Sequence, residues 1–353
     1  MALRSAGLQT HIWNNNAKSI MLLALYPILI MGIVWLCAFV VGSMSTVGPR
    51  TSSVNIATSL VYAWWPAILA GVIIWFIIAY FFHTKMVRNL AHSHPVTRKD
   101  EPELYNMLEN LSISAGITMP RLEIIETHAR NAFASGIDQK SFTVTVTRGL
   151  MNALKKDELE AVLAHELTHI INRDVRLLII TIIFTGMIGF AAQMAWSNIR
   201  YGFIYSGRQR DRGNGILVML AIAAVLWLGY MATLLTRFAI SRKREYMADA
   251  GAVQLTKSPE AMMRALQRIA GREAIPGSPD DIAMMCIENA KPFLGMFATH
   301  PPIERRIRTL SETTATPIPS VSLPPANPED RLISGSEKRN PWLVRTRGKR
   351  RNY

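Results

Sequence analysis

Residues 157–196 read DELEAVLAHELTHIINRDVRLLIITIIFTGMIGFAAQMAW. In the first half, Leu159, Val162, Leu163, Leu167 and Ile170 recur at helical spacing. That helix carries His165-Glu166-Leu167-Thr168-His169. The second half, from Leu177 to Trp196, has no ionisable side chain. At 1.5 Å per residue it reaches about 30 Å, the thickness of a bilayer's hydrocarbon core. A helix that is apolar around its paired histidines and runs straight into a membrane-length apolar segment predicts a mainly helical membrane protein whose chemistry lies close to the bilayer surface.

Working outward, no Asp, Glu, Lys or Arg lies between Lys18 and Arg50, nor between Arg50 and Lys85. Membrane helices are expected over Ile20–Val41 and Leu60–Phe82, with Trp64 and Trp65 as interfacial anchors. A fourth apolar segment runs over Ile216–Thr236. Four transmembrane or membrane-inserted helices are therefore expected. The chain divides into a tail (1–19), a two-helix anchor (20–82), a globular part (83–176), a second hairpin (177–240), a second globular part (241–310) and a basic tail rich in Pro and Ser (311–353), which reads as disordered.

Half of the 353 residues are apolar and 18% are charged, which excludes a wholly disordered chain. Two cysteines imply no disulfide framework. The net charge of +14 points to an anionic lipid surface, and no nucleic-acid motif accompanies it. Lys85 and Arg88 follow the second apolar segment, and Arg242, Lys243 and Arg244 follow the fourth. The positive-inside rule then puts both globular parts in the cytoplasm. Arg200, Arg208, Arg210 and Arg212 oppose it, so the second hairpin either crosses fully against the rule or inserts without crossing.

The globular parts read as α+β. Helices are expected to start at Asp100 (with Glu103), Asp157 (with Glu160) and Ser258-Pro259-Glu260. Strands are expected over Arg121–Glu126 and Phe142–Thr147. Leu104, Met107, Leu108 and Leu111, and then Met262, Leu266 and Ile269, supply the core faces.

His165 and His169, four apart, lie on one helical face and can grip one metal ion. Imidazole suits zinc, which in catalytic sites takes three protein ligands and leaves a position for water. Glu166 adjoins the first ligand and can take that water's proton. After the fourth apolar segment comes Glu245-Tyr246-Met247-Ala248-Asp249. Glu245 is the candidate third ligand, and Asp249, on the same face, can accept a hydrogen bond from a ligand histidine. His83, His92, His94 and His128 have no ligand spacing and read as surface residues.

The order H-E-L-T-H, Asn172-Arg173-Asp174, two apolar segments and E-Y-M-A-D resembles the membrane-integrated zinc endopeptidases of the HtpX heat-shock type, relatives of the CAAX prenyl endopeptidases. Asn131-Ala132-Phe133-Ala134 and Thr299-His300-Pro301-Pro302 extend the likeness across roughly residues 84–310. It implies a cytoplasmic zincin-like (gluzincin) domain with one Zn2+ ion. It also implies cleavage of membrane or misfolded proteins at the cytoplasmic face of a bacterial inner membrane, in quality control. Residues 131–134 fit a substrate-binding strand edge, since small alanines let a peptide backbone approach. His300 and Arg306 are candidates to steady the oxyanion, and His300 also to approach zinc at rest.

Two alternatives remain: a CAAX-type processing protease, and a catalytically silent zinc-binding scaffold. Glu166 speaks against the scaffold, since a structural site needs no carboxylate beside an open metal position. The apolar segments lack the ionisable residues of a transporter path.

Overall fold

The structure is a computed structural model and describes residues 8–44, 52–205, 219–231, 243–270 and 301–321. Helices α1 (Leu8–Met44) and α2 (Ser53–Ala91) form the first hairpin. After β1 (His94–Pro95) come α3 (Pro102–Ser114), β2 (Arg121–Ile125), β3 (Ala132–Ser135), β4 (Thr143–Thr147), α4 (Arg148–Ala153) and α5 (Lys156–Ile171). The long helix α6 (Asp174–Tyr205) follows, then α7 (Met219–Met231), α8 (Lys243–Thr256), α9 (Pro259–Ile269) and α10 (Ile303–Thr314).

Among the described residues, three helices are long and apolar enough to cross a membrane: Leu23–Met44, Ser53–Ala91 and Asp174–Ser197. Of the fourth expected segment only α7, Met219–Met231, lies within the described residues. The spans differ in what they touch. Ile28, Tyr62, Ile74, Phe81 and Phe82 of α1 and α2 are exposed, as lipid-facing side chains would be, whereas most of the α6 window is buried inside the protein. Tyr26 of α1 stacks on Phe184 of α6 at 4.2 Å between centroids, and Phe76 of α2 joins them. The Trp75 indole N–H donates to the Ile183 carbonyl at 3.2 Å. The first hairpin thus clasps the helix that leaves the histidine motif.

Beyond the membrane segments, a four-stranded sheet has the order β1-β2-β4-β3, with only β2 and β4 parallel. Every residue of β3 and β4 is buried, so the alternation of Thr and Val over 143–147 does not mark a wet face: both faces are covered. Helix α5 lies against β3 and β4 and is itself covered by α8 and α9. Leu108, Ile124, Val144, Leu163, Leu167, Met262 and Met263 form the centre of this core. Residues on both sides of the α6–α7 segment therefore build one body.

Two buried ion pairs fix its corners. Arg88, near the end of α2, donates from Nε to Glu123 Oε1 at 2.8 Å, and the Ser93 hydroxyl donates to Oε2 at 2.6 Å. Glu123 is 2% exposed, so this contact ties the anchor to the sheet inside the protein. Glu158 of α5 accepts from the Lys155 N–H at 2.9 Å and faces Arg268 of α9, also at 2.9 Å.

Several local expectations move. Helix α3 starts at Pro102, with Glu101 at the N-cap position but making no side-chain capping bond, because proline favours the first helical position. Asp100 instead accepts from Thr97 N–H and Oγ1 at 2.8 and 2.7 Å. At α5 it is Glu158, three residues after Lys155, that closes the cap, not the Asp157–Glu160 pair. Ser258 caps α9 as expected, accepting from Ala261 N–H. His83, expected at the surface, is 4% exposed. The boundary drawn at 311 falls inside α10, and Thr316–Val321 folds back so that Gln267 Nε2 donates to the Pro319 carbonyl at 3.1 Å. The rest of that tail, and the Arg208–Arg212 loop, lie outside the described residues.

Candidate metal centre

Helix α5 carries His165 and His169 on one face, their rings 4.8 Å apart and perpendicular. Helix α8 crosses that face so closely that Gly251 leaves no room for a side chain. A Cβ there would sit 2.4 Å from Thr168 Cγ2 and 2.7 Å from its Oγ1. The close crossing brings Glu245 over the histidines. Glu245 Oε2 lies 3.7 Å from His165 Nε2, and Oε1 lies 3.7 Å from His169 Nε2. One ligand atom from each of His165, His169 and Glu245 falls within 4.8 Å of the others. Two imidazole nitrogens and a carboxylate oxygen so converged are a zinc-type donor set.

Behind these three stands a ring of buried charge. Asp249, one turn along α8 from Glu245, places Oδ1 3.0 Å from His165 Nδ1. Arg306 of α10 is fully buried and grips Asp249 with two bonds, Nε at 2.9 Å and Nη2 at 2.6 Å. Its Nη1 is 3.7 Å from Glu245 Oε2. Burial works against charge on the His165 imidazole, but the Asp249 and Glu245 carboxylates outweigh it and push the pKa up to about 9. Burial also opposes ionisation of Asp249, yet Arg306 and His165 hold its carboxyl below the ordinary value. The field at the centre favours a cation.

Glu166, beside His165 on α5, is 2% exposed and accepts from the Ala134 N–H of β3. Burial raises its carboxyl above the ordinary range, against the pull of both histidines and of the hydrogen bond with the Ala134 backbone N–H. Among the described residues β3 pairs only with β4. Helix α5 packs against β3, and Glu166 accepts from the Ala134 N–H, so Glu166 sits between the histidines and that strand. Asn131, just before β3, is fully buried. Its carbonyl accepts from the Thr147 N–H at 3.0 Å and its side-chain oxygen from the Ala132 N–H, also at 3.0 Å.

The structure thus brings together His165, Glu166, His169, Glu245, Asp249, Arg306 and the 131–134 strand. His300 lies outside the described residues. Arg306, expected as an oxyanion donor, turns at least two of its nitrogens to Asp249. Asp174 was not singled out in sequence, yet its Oδ2 lies 3.1 Å from His169 Nδ1. Its only signal was its place in the Asn172-Arg173-Asp174 run.

Comparison with known proteins gives the family. The profile of peptidase family M48 matches residues 98–314. A Protease HtpX homolog from Bacteroides fragilis is 38% identical over 322 residues, covering 88% of this chain and all of that protein. A Protease HtpX homolog from Dictyoglomus turgidum is 40% identical over 253 residues, covering 68% of this chain and 81% of its own. Among solved structures, S. mikatae Ste24p aligns with a TM-score of 0.43 at 17% identity, over 85% of this chain and 66% of that one. The family match, the relatives and the apolar helices together identify the chain as a member of peptidase family M48, a membrane-bound metalloprotease.

Proposed function

We propose that this metalloprotease holds a single zinc ion on His165, His169 and Glu245 and cleaves membrane or misfolded proteins at the cytoplasmic face of a bacterial inner membrane, as a quality-control enzyme. The observation that carries the reading is the convergence of those three side chains beside a buried Glu166 on the helix that packs against β3. The residues fit zinc: two nitrogens and one oxygen meet at one point, with a carboxylate held behind His165. Bound there, zinc would supply Lewis acidity to a water molecule and to the scissile carbonyl.

The chain's own residues supply the rest. The substrate edge on this reading is the side of β3 away from β4, where small Ala132 and Ala134 would let a peptide backbone approach. Asn131 fixes the start of that edge through its bonds to Ala132 and Thr147. Glu166 takes a proton from water and later returns it to the leaving amine, a task suited to a carboxyl raised by burial. Asp249 places its carboxylate 3.0 Å from His165 Nδ1, and Arg306 holds Asp249. Lys85 and Arg88 after the second apolar segment, and Arg242, Lys243 and Arg244 after the fourth, support the cytoplasmic orientation. A silent scaffold would gain nothing from burying Glu166 beside the metal position.

The test is cleavage of an unstructured protein and of a membrane-protein substrate by the purified chain in detergent. Cleavage should stop with a zinc chelator and return when one equivalent of zinc is restored. Cleavage that persists after the metal is stripped would refute the assignment.

A further inference from the structure

We propose that Asp174 is a positioning residue for His169, and that the turn between α5 and α6 exists to deliver it; the inference rests on the metal reading of the site. In a continuous helix, a residue five positions on lies about 140° around the axis from His169 and could not reach its ring. Here the helix is broken. Asn172 ends α5, and Arg173 adopts a left-handed conformation with φ of 58°. A non-glycine residue in that region costs about 1–2 kcal/mol, so the surrounding contacts must hold it there. The break folds Asp174 back until its Oδ2 is 3.1 Å from His169 Nδ1.

Three observations mark the contact as more than a helix start. Asp174 is 3% exposed, so its carboxylate is withdrawn from water and its hydrogen bond is not competed away. Each histidine of the site has its own carboxylate at Nδ1, Asp249 at 3.0 Å and Asp174 at 3.1 Å, and the two come from different elements. His169 is also the less enclosed ring, 13% exposed at its side chain against 1% for His165, so packing alone fixes it less firmly. With Nδ1–H donating to Asp174, Nε2 is left with its lone pair directed towards Glu245 Oε1, 3.7 Å away.

The turn is also tied to the other half of the site. Arg244 Nη1 donates to the Asp174 carbonyl at 3.5 Å, and Arg244 immediately precedes Glu245. Asp174 is the first residue of α6, the helix clasped by the first hairpin. The second histidine is thereby set by a residue at the head of a membrane segment, while the first is set from α8.

The competing role is structural: an acidic residue in the first turn of α6 stabilises that helix whatever His169 does. Asp174→Asn, Asp174→Ser and Asp174→Glu in the full chain in detergent separate the two. Zinc affinity by chelator competition, the visible spectrum of the cobalt-loaded protein and the melting temperature of the metal-free protein are the readouts. Positioning predicts that Asp174→Asn weakens zinc about 10–100-fold and alters the cobalt bands. It also predicts that Asp174→Ser, which can still start a helix but cannot reach the ring, is at least as weak, and that Asp174→Glu recovers part of the affinity. Zinc affinity within threefold of the parent and unchanged cobalt bands in both Asp174→Asn and Asp174→Ser would overturn the inference. A parent protein that binds no zinc at all would instead overturn the metal reading, and this inference with it.

Discussion

Gly251→Ala is a one-carbon change at the crossing of α5 and α8, and its effect follows from three distances. The new Cβ would lie 2.4 Å from Thr168 Cγ2, 2.7 Å from Oγ1 and 3.1 Å from Cβ. Carbon atoms pack at about 3.5–4.0 Å, so the helices must separate by about 1 Å or Thr168 must turn. Thr168 is 4% exposed and its hydroxyl is bonded to the Ala164 carbonyl at 2.8 Å, which leaves it little freedom to turn. Overpacking of this kind costs about 1–3 kcal/mol of stability. A 1 Å displacement of Glu245 relative to the histidines is expected to lower cleavage about 100-fold. The assay is the rate on a fluorogenic peptide, with bound zinc and melting temperature measured alongside. Thr168→Ala removes both of the nearest atoms, so Gly251→Ala/Thr168→Ala should recover much of what Gly251→Ala loses, whereas Thr168→Ser, which keeps the 2.7 Å neighbour, should recover less. A Gly251→Ala protein with parental rate, zinc and melting temperature would refute the idea that this contact sets the site.

Further expectations concern charge, anchoring and sidedness. Asp249→Asn should weaken zinc about 10–100-fold, read by chelator competition, while Arg306→Met, which strands buried Asp249 without its counter-charge, should cost about 3–5 kcal/mol of stability, read by thermal melting. Glu123→Gln breaks the link between α2 and the sheet and should cost about 1–3 kcal/mol, with melting lowered and zinc content unchanged. Single cysteines at the exposed positions Ser114 and Gln254, in a chain lacking Cys37 and Cys286, should resist an impermeant thiol reagent on intact cells until the membrane is opened. Labelling from outside would reverse the proposed orientation.

The cluster of His165, His169 and Glu245 was legible because each part lies on one helix. His165 and His169 share a face by their spacing, and Glu245 with Asp249 repeats it on α8. The membrane helices were legible from uncharged length alone, although that said nothing of α6 being wrapped by protein while α1 and α2 face outward. What escaped depends on tertiary contact. Asp174 reaches His169 only through a left-handed Arg173, and an arginine gives no sign of such a turn where a glycine would have. Arg306 reads in sequence as one charge on a short polar helix; its complete burial against Asp249 follows from α10 packing on α8. Gly251 looks like a flaw in a helix until its neighbour Thr168 is known. Pro102 and Glu158 moved the helix starts because several acidic residues compete for the cap at both places.

On the proposed reading the metal is held by His165, His169 and Glu245, and Glu166 handles the proton without binding the metal. Zinc content and peptide cleavage of purified Glu166→Gln and Glu245→Ala, measured side by side with the parent, test it most directly. The expected result is about one zinc per chain in the parent and in Glu166→Gln, with cleavage lost in Glu166→Gln, and both zinc and cleavage lost in Glu245→Ala. Full zinc in Glu245→Ala, or undiminished cleavage by Glu166→Gln, would contradict the account.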